Sequence, residues 1–419
     1  MAEPIVEGVE PAGGAAAVER GSAVEVLRIF LRLGLTSFGG PIAHLGYYRA
    51  EFVERRRWLD EHTYADIVAL WQFLPGPTSS QTGITIGLMR AGFAGALAAW
   101  IGFTMPSAIA MILFGYGLTQ FGEVSGAAWL HGLKIVAVAV VANAVWSMAK
   151  GLRPEGAGAL RIWATVAVGA AILALAVPSA VGQVGAILAG GLVGWTLLRA
   201  TETPRPDIAI AVHVPRAWSI AAAALFVALL IGLPLFAAAV PAQPIRLFDS
   251  FYRSGSLVFG GGHVVLPLLQ AEVVPPGWVS NDAFLAGYGA AQAVPGPLFT
   301  FAAYLGTVMG PEPNGLAGGL LCLVAIFLPS FLLLLGVLPF WDGLRRHAAV
   351  QSALRGVNAA VVGLLLAALY RPVWTSAIFA PQDFALGLVA FLLLSWWAVP
   401  PWLVVILGAL GAAVVAAIV

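Results

Sequence analysis

Long apolar runs dominate this chain. Residues 92–117, 127–149, 160–178, 180–199, 218–240, 315–340, 350–370, 382–398 and 400–419 each carry at most one Asp, Glu, Lys or Arg. A helix needs about 20 residues to cross a hydrocarbon layer of roughly 30 Å, and these runs meet or approach that length. The alternation of apolar and polar positions that marks a transmembrane barrel is missing from them. The pattern predicts an all-α polytopic membrane protein. Composition agrees: of 419 residues, 60% are hydrophobic and 10% charged, more apolar surface than a water-soluble fold can bury.

Two fragments interrupt the pattern. "FGGPIAHLG" (38–46) and "FGGGHVVLP" (259–267) place helix breakers where a membrane helix would be continuous. They belong to a longer duplication. Arg32 and Arg253 each lie six residues before the Phe-Gly-Gly, and Glu51 and Glu272 each lie thirteen residues after the Phe. Trp58 matches Trp278, "QFLPGP" (72–77) matches "QAVPGP" (292–297), and "MPS" (105–107) matches "LPS" (328–330). The offset drifts only from 220 to 223. Four segments follow: a disordered cytoplasmic tail (1–22), a first repeat (23–199), a cytoplasmic loop with a linking helix (200–245), and a second repeat (246–419).

Charge orients the copies, because Lys and Arg gather in cytoplasmic loops. In the first copy Arg49, Arg55, Arg56, Arg57 and Arg90 flank the broken segments, and the 118–126 connection has no Lys or Arg. In the second copy no Lys or Arg occurs from 254 to 344, and Arg345 and Arg346 occupy the connection that matches 118–126. The reversal predicts inverted repeats, with 218–240 as the span that turns the second copy over. Segments 22–57 and 64–90 are expected to enter from the cytoplasm, break and return, and 246–275 and 282–310 to do so from the other face. A leg such as 64–74 is only about 16 Å long, half the bilayer.

Inverted repeats with discontinuous helices are an architecture of secondary transporters. Broken backbone at membrane depth must be buried in protein or face a watery cavity. Pro41, Pro77 and Pro297 suit the first turn of a returning helix. The glycines Gly39, Gly40, Gly76, Gly260, Gly261, Gly262 and Gly296 allow turning and close approach to a ligand. Four helix N-termini, each with roughly half a positive charge, would together match a small oxyanion. Thr78, Ser79, Ser80 and Gln81 add polar donors at one tip. Thr300 is the counterpart in the second copy, where Leu298 and Phe299 stand at the equivalent positions. His44, His263, Gln72 and Gln292 are further candidates for substrate contact, with packing or capping of broken backbone as the alternative for each.

Arg32 and Arg253 demand partners, because a cation in the membrane is costly. Two roles are open to them: neutralising Glu51 and Glu272, or binding the anion in competition with those glutamates. In the second case glutamate protonation would couple transport to protons. The single Cys322 allows no internal disulfide and no cysteine metal cluster, and no metal or cofactor is expected. A Walker-type phosphate loop does not occur, and neither paired acids nor a redox motif supports an enzyme. Membrane lipid is the expected surrounding, and nucleic acid is not an expected partner. A homodimer is compatible with the sequence, which does not fix the oligomeric state.

F-G-G-P-x-A-H, the later Q-x-x-P-G-P and the degenerate repeat of both resemble the chromate ion transporter family in its long, two-domain form. The resemblance runs from about residue 23 to near the end. It implies export of chromate across the bacterial inner membrane, driven by an ion gradient and conferring chromate resistance. Carried over by motif, the positions implied to matter are Arg32, Phe38, Gly39, Gly40, Pro41, His44, Pro75, Gly76 and Pro77. Gly260, Gly261, Pro295, Gly296 and Pro297 match less fully, and Gly262 replaces the proline. A passive oxyanion channel, or a sulfate-type anion transporter of the same fold, is the alternative.

Overall fold

The computed structural model describes residues 21–120, 128–198 and 214–418. Almost all of the expected tail, the centre of the 118–126 loop and most of the loop after 199 lie outside these residues, as do the side chains of Arg345 and Arg346. The described residues are mostly helical, and no strand occurs among them. In chain order the helices are α1 (Ala23–Thr36), α2 (Gly40–Tyr48), α3 (Glu61–Phe73), α4 (Thr78–Gln120), α5 (Ala128–Leu152), α6 (Ala157–Ala176), α7 (Ala180–Leu197) and α8 (Arg216–Ala239). The second half continues with α9 (Gln243–Ser256), α10 (Val265–Val273), α11 (Asn281–Ala291), α12 (Phe301–Val308), α13 (Gly315–Val337), α14 (Trp341–Arg346), α15 (Ala348–Ala368), α16 (Pro381–Ser395) and α17 (Pro401–Ile418).

Among the described residues eight helices are long and apolar enough to cross a membrane. The chain is a multi-pass, all-α membrane protein. The remaining apolar run, 382–398, forms the shorter 15-residue α16. Two of the expected elements merge in α4, whose 43 residues hold both the return leg and the following span. Gly92, with φ +63°, breaks the helix geometry between them. The two legs then touch at glycine: a Cβ on Gly87 would run into the Gly95 carbonyl and approach Ala99 Cβ to 2.8 Å.

Every expected break falls between two helices. α1 is started by Ser22, whose hydroxyl accepts the Glu25 N–H, and buries Val26, Ile29, Phe30 and Leu33 at helical spacing. It packs on α4 through small residues: a Cβ on Gly34 would meet the Phe103 carbonyl at 2.8 Å. Such contacts let membrane helices approach closely without a hydrophobic drive from water. α1 ends at Ser37, and α2 begins after two residues of positive φ, Gly39 (+103°) and Gly40 (+77°). Asp60 caps α3, and the Thr63 N–H that donates to it holds its carboxyl below the usual range. α9 and α10, and α11 and α12, repeat the broken pairs in the second half, each with one short 3-10 turn ahead of the return leg.

The halves interlock. α5 of the first half packs against α16 and α17 of the second, and α15 of the second packs against α6 and α7 of the first. Two backbone bonds join the tips: Gly76 N–H donates to the Val258 carbonyl at 2.7 Å, and Gly296 N–H to the Ser37 carbonyl at 2.9 Å. These are the same bond made twice, once by each copy to the other.

Candidate functional site

A cavity of about 90 Å³ lies where the tips meet. Its volume suits a few waters or one small polyatomic ion. Gly39, Gly40 and Pro41 at the start of α2 line one side, and Ala291, Gln292, Val294, Gly296 and Leu298 of the fourth tip line another. His263 enters from the third tip, Val140 and Asn143 from α5, and Leu394 and Pro401 from the α16–α17 junction. No Asp, Glu, Lys or Arg is among these lining residues.

The polar side chains at this space are only partly paired by the protein. The Gln292 amide nitrogen is buried and meets no acceptor. Asn143 accepts from the Ser395 hydroxyl through Oδ1 at 3.0 Å, and its amide nitrogen has no partner among the described residues. His263 is tied by Nδ1 to the Tyr288 hydroxyl at 2.9 Å. Buried polar groups are normally paired, so an orphaned amide donor beside a cavity points to an acceptor that occupies it. Phe38, one residue before the lining glycines, packs toward α17, its ring centroid 5.8 Å from that of Trp402.

The second tip is built differently. Thr78 donates to the Trp71 carbonyl at 3.1 Å, Gln81 to the Pro75 carbonyl at 2.9 Å, and Ser79 lies 3.3 Å from His44 Nδ1. His44 Nε2 in turn reaches the Ser37 carbonyl at 3.2 Å. Pro75, Gly76, Pro77, Thr78, Ser79, Ser80 and Gln81 are buried and knit the tips together without lining the cavity. Gln72, the counterpart of Gln292, is exposed. Thr300 donates to the Pro297 carbonyl at 2.9 Å, and Pro295 and Pro297 flank Gly296. Gly260 faces Met148, and a Cβ on Gly262 would lie 3.4 Å from the Pro41 ring across the tip contact.

Two sequence expectations change here. Pro41 does sit in the first turn of α2, but Pro77 immediately precedes α4 and Pro297 stands at the cap of its turn. The four helix starts also do not share one space: α2, the 262–273 leg through His263 and the 298–308 leg border the cavity, and the start of α4 does not. The Gly76 and Gly296 amides are used to pin the tips, which leaves fewer free N–H groups than four open ends would supply.

The conserved spacing of the arginines has a direct structural counterpart. Arg32 Nη2 donates to Glu51 Oε2 at 2.8 Å. Glu51 also receives Arg55 Nη1 at 3.0 Å and Arg56 Nε at 2.7 Å. In the second half the ratio is inverted: Arg253 makes two 2.8 Å bonds to Glu272 and a 3.2 Å ion pair with Asp249. One carboxylate among three cations stands opposite one cation between two carboxylates. Neither Arg32 nor Arg253 lines the cavity.

Sequence reasoning missed Asn143 and Tyr288. Asn143 was detectable as an amide deep in an apolar run, where a polar group needs a reason. Tyr288 carried no signal, since a tyrosine among apolar residues reads as core.

Paired broken helices in two matched halves define a polytopic transporter architecture. The chain belongs to the chromate transporter family, whose profile matches residues 24–195 and 245–413, one region in each half. It is 30% identical over 346 residues to the chromate transport protein of Pseudomonas aeruginosa, covering 80% of this chain and 77% of that one. It is 26% identical over 383 residues to a probable chromate transport protein of Synechococcus elongatus, covering 89% of each. To the chromate transport protein of Cupriavidus metallidurans it is 25% identical over 352 residues, covering 82% of this chain and 81% of that one. No solved structure matches the chain.

Proposed function

We propose that this protein exports chromate across the bacterial inner membrane as a secondary active transporter, and that the cavity between the tips holds the anion. The observation that carries this reading is the buried, unpartnered Gln292 amide nitrogen beside a space with no carboxylate on its lining. Gly39, Gly40 and Pro41 present the positive end of α2, and Gln292, Asn143 and His263 supply side-chain donors. Family membership supplies chromate, and the donor set supplies the reason an oxyanion would rest there. Phe38, Pro75, Gly76, Pro77, Thr78, Ser79, Ser80, Gln81, Pro295, Pro297 and Thr300 hold the tips in place around it.

The repeats are read as inverted, on charge reversal and on the reciprocal tip bonds. An in-plane two-fold axis permits alternating access to one central site. Glu51 and Glu272 remain the coupling candidates, through exchange of their arginines on protonation.

Inverted vesicles loaded with the protein test the function. Radioactive chromate should accumulate against its gradient when a proton or sodium gradient is imposed, and accumulation should collapse with that gradient. Downhill flux alone would make the protein a channel. Topology has its own check, and the buried Cys322 leaves a quiet labelling background. Single cysteines in 118–126 should label from the periplasm and those in 341–349 from the cytoplasm. Labelling of both loops from one face would remove the inversion.

A further inference from the structure

We infer that Tyr288 fixes the tautomer of His263 and so turns this histidine into a neutral hydrogen-bond donor for the anion in the cavity. The inference rests on the oxyanion reading of that cavity. Tyr288 is fully buried, its ring packed edge-on against Phe301 with centroids 5.8 Å apart. Its hydroxyl has one partner among the described residues, His263 Nδ1 at 2.9 Å. A buried hydroxyl must donate its hydrogen or leave it unpaired, and an unpaired buried donor is the expensive outcome. Were Nδ1 protonated, it would donate to the hydroxyl oxygen and strand the hydroxyl hydrogen. With Nδ1 as acceptor both groups are satisfied, and the proton of the neutral ring sits on Nε2.

That second nitrogen decides the function. Among the described residues His263 Nε2 has no partner, and it is not among the sealed, unpaired polar atoms of the interior. The ring lines the cavity, so Nε2–H is offered to whatever the cavity contains. His44 shows the same tautomer put to another use. Its Nε2 lies 3.2 Å from the Ser37 carbonyl, which can only accept, and its Nδ1 therefore takes the Ser79 hydroxyl hydrogen at 3.3 Å. The first-half histidine is closed by the protein, and the second-half histidine is left one acceptor short. An oxyanion oxygen supplies that acceptor. Tyr288 does not touch the anion and is a positioning residue.

Chromate uptake into inverted vesicles, at matched amounts of folded protein, tests this. Tyr288→Phe removes only the hydroxyl and frees the proton to sit on either nitrogen. KM for chromate should rise about tenfold with the maximal rate nearly unchanged. His263→Gln carries an amide that reaches as far as Nε2 and donates without help, so KM should stay within about threefold of the parent. In that background Tyr288→Phe should change KM by less than about twofold, a strong departure from additivity. His263→Asn places its amide near Nδ1, short of the cavity, and should behave like His263→Ala; this comparison stands even if Tyr288→Phe fails to fold.

An equal KM rise from Tyr288→Phe in both backgrounds would mean that the hydroxyl only supports packing, and the inference would fall. So would equal transport by His263→Gln and His263→Asn. If His263→Ala and Gln292→Ala both leave KM untouched, the cavity is not the anion site and the function reading fails with it. If they raise KM while Tyr288→Phe remains additive, only the tautomer inference fails.

Discussion

Arg253→Gln is expected to remove most of the folded protein from the membrane, while the matched Arg32→Gln leaves abundance close to normal. The difference lies in what each arginine leaves behind. Arg253 is the ion-pair partner of both Asp249 and Glu272, whose side chains are only 9% and 10% exposed. Removing it strands two buried carboxylates, and breaking a buried pair costs about 3–5 kcal/mol. That is a large share of a typical stability of roughly 5–15 kcal/mol. Arg32 has a 54% exposed side chain, and Glu51 keeps Arg55 and Arg56 when it is lost. A pair of this kind contributes about 0–1 kcal/mol.

Adding Asp249→Asn and Glu272→Gln to Arg253→Gln should restore abundance, because no stranded charge remains. Quantitative immunoblotting of membranes reads all three variants. Normal abundance of Arg253→Gln would show that the carboxylates find other partners. Loss of chromate binding by an abundant Arg32→Gln protein would return that arginine to the anion site.

The second large effect separates a tip glycine that has open space beside it from those packed tightly where the tips are pinned together. Gly40→Val should abolish transport yet still yield folded protein. A Cβ on Gly40 meets nothing within 4 Å, so the added bulk goes into the space where the anion is placed. Its φ of +77° adds strain of about 1–3 kcal/mol. Gly296→Val is expected to lose both transport and fold. Here a Cβ would meet Ser107 Oγ at 2.8 Å and the Phe103 carbonyl at 3.1 Å, at a φ of +98°. Left-handed strain and overpacking contribute about 1–3 kcal/mol each. Gly76→Val belongs with Gly296, since its Cβ would run into the Gln81 amide. Detergent-extracted yield and thermal melting, measured beside chromate flux, distinguish the two classes. Near-normal flux through Gly40→Val would reduce the first tip to a kink.

Helix positions were legible in the sequence because lipid imposes a simple rule: a span must be long and apolar. The breaks were legible because glycine and proline recur at a fixed offset, as at Gly39-Gly40 and Gly260-Gly261. What could not be read was which tip residues share a space. Gln72 and Gln292 occupy equivalent places in the two motifs, yet one is exposed and the other borders the cavity. Local sequence fixes a tip's shape, whereas the neighbour across the tip is decided by packing between halves, through bonds such as Gly76 to Val258 and Gly296 to Ser37 that are far apart in the chain. The crowding of three arginines around Glu51 was equally hidden, because Arg55 and Arg56 read as surface charge that sets topology.

The reciprocal bonds from Gly76 to Val258 and from Gly296 to Ser37 bear on ancestry. Each half carries a donor whose acceptor lies in the other half. A chain with one half alone would expose an unpaired amide and an unpaired carbonyl in its own interior. It could satisfy them by meeting a second copy of itself. The present chain reads as such a pair fused end to end, with α8, mostly unburied at the edge of the bundle, as the splice that spared the two copies from having to find each other.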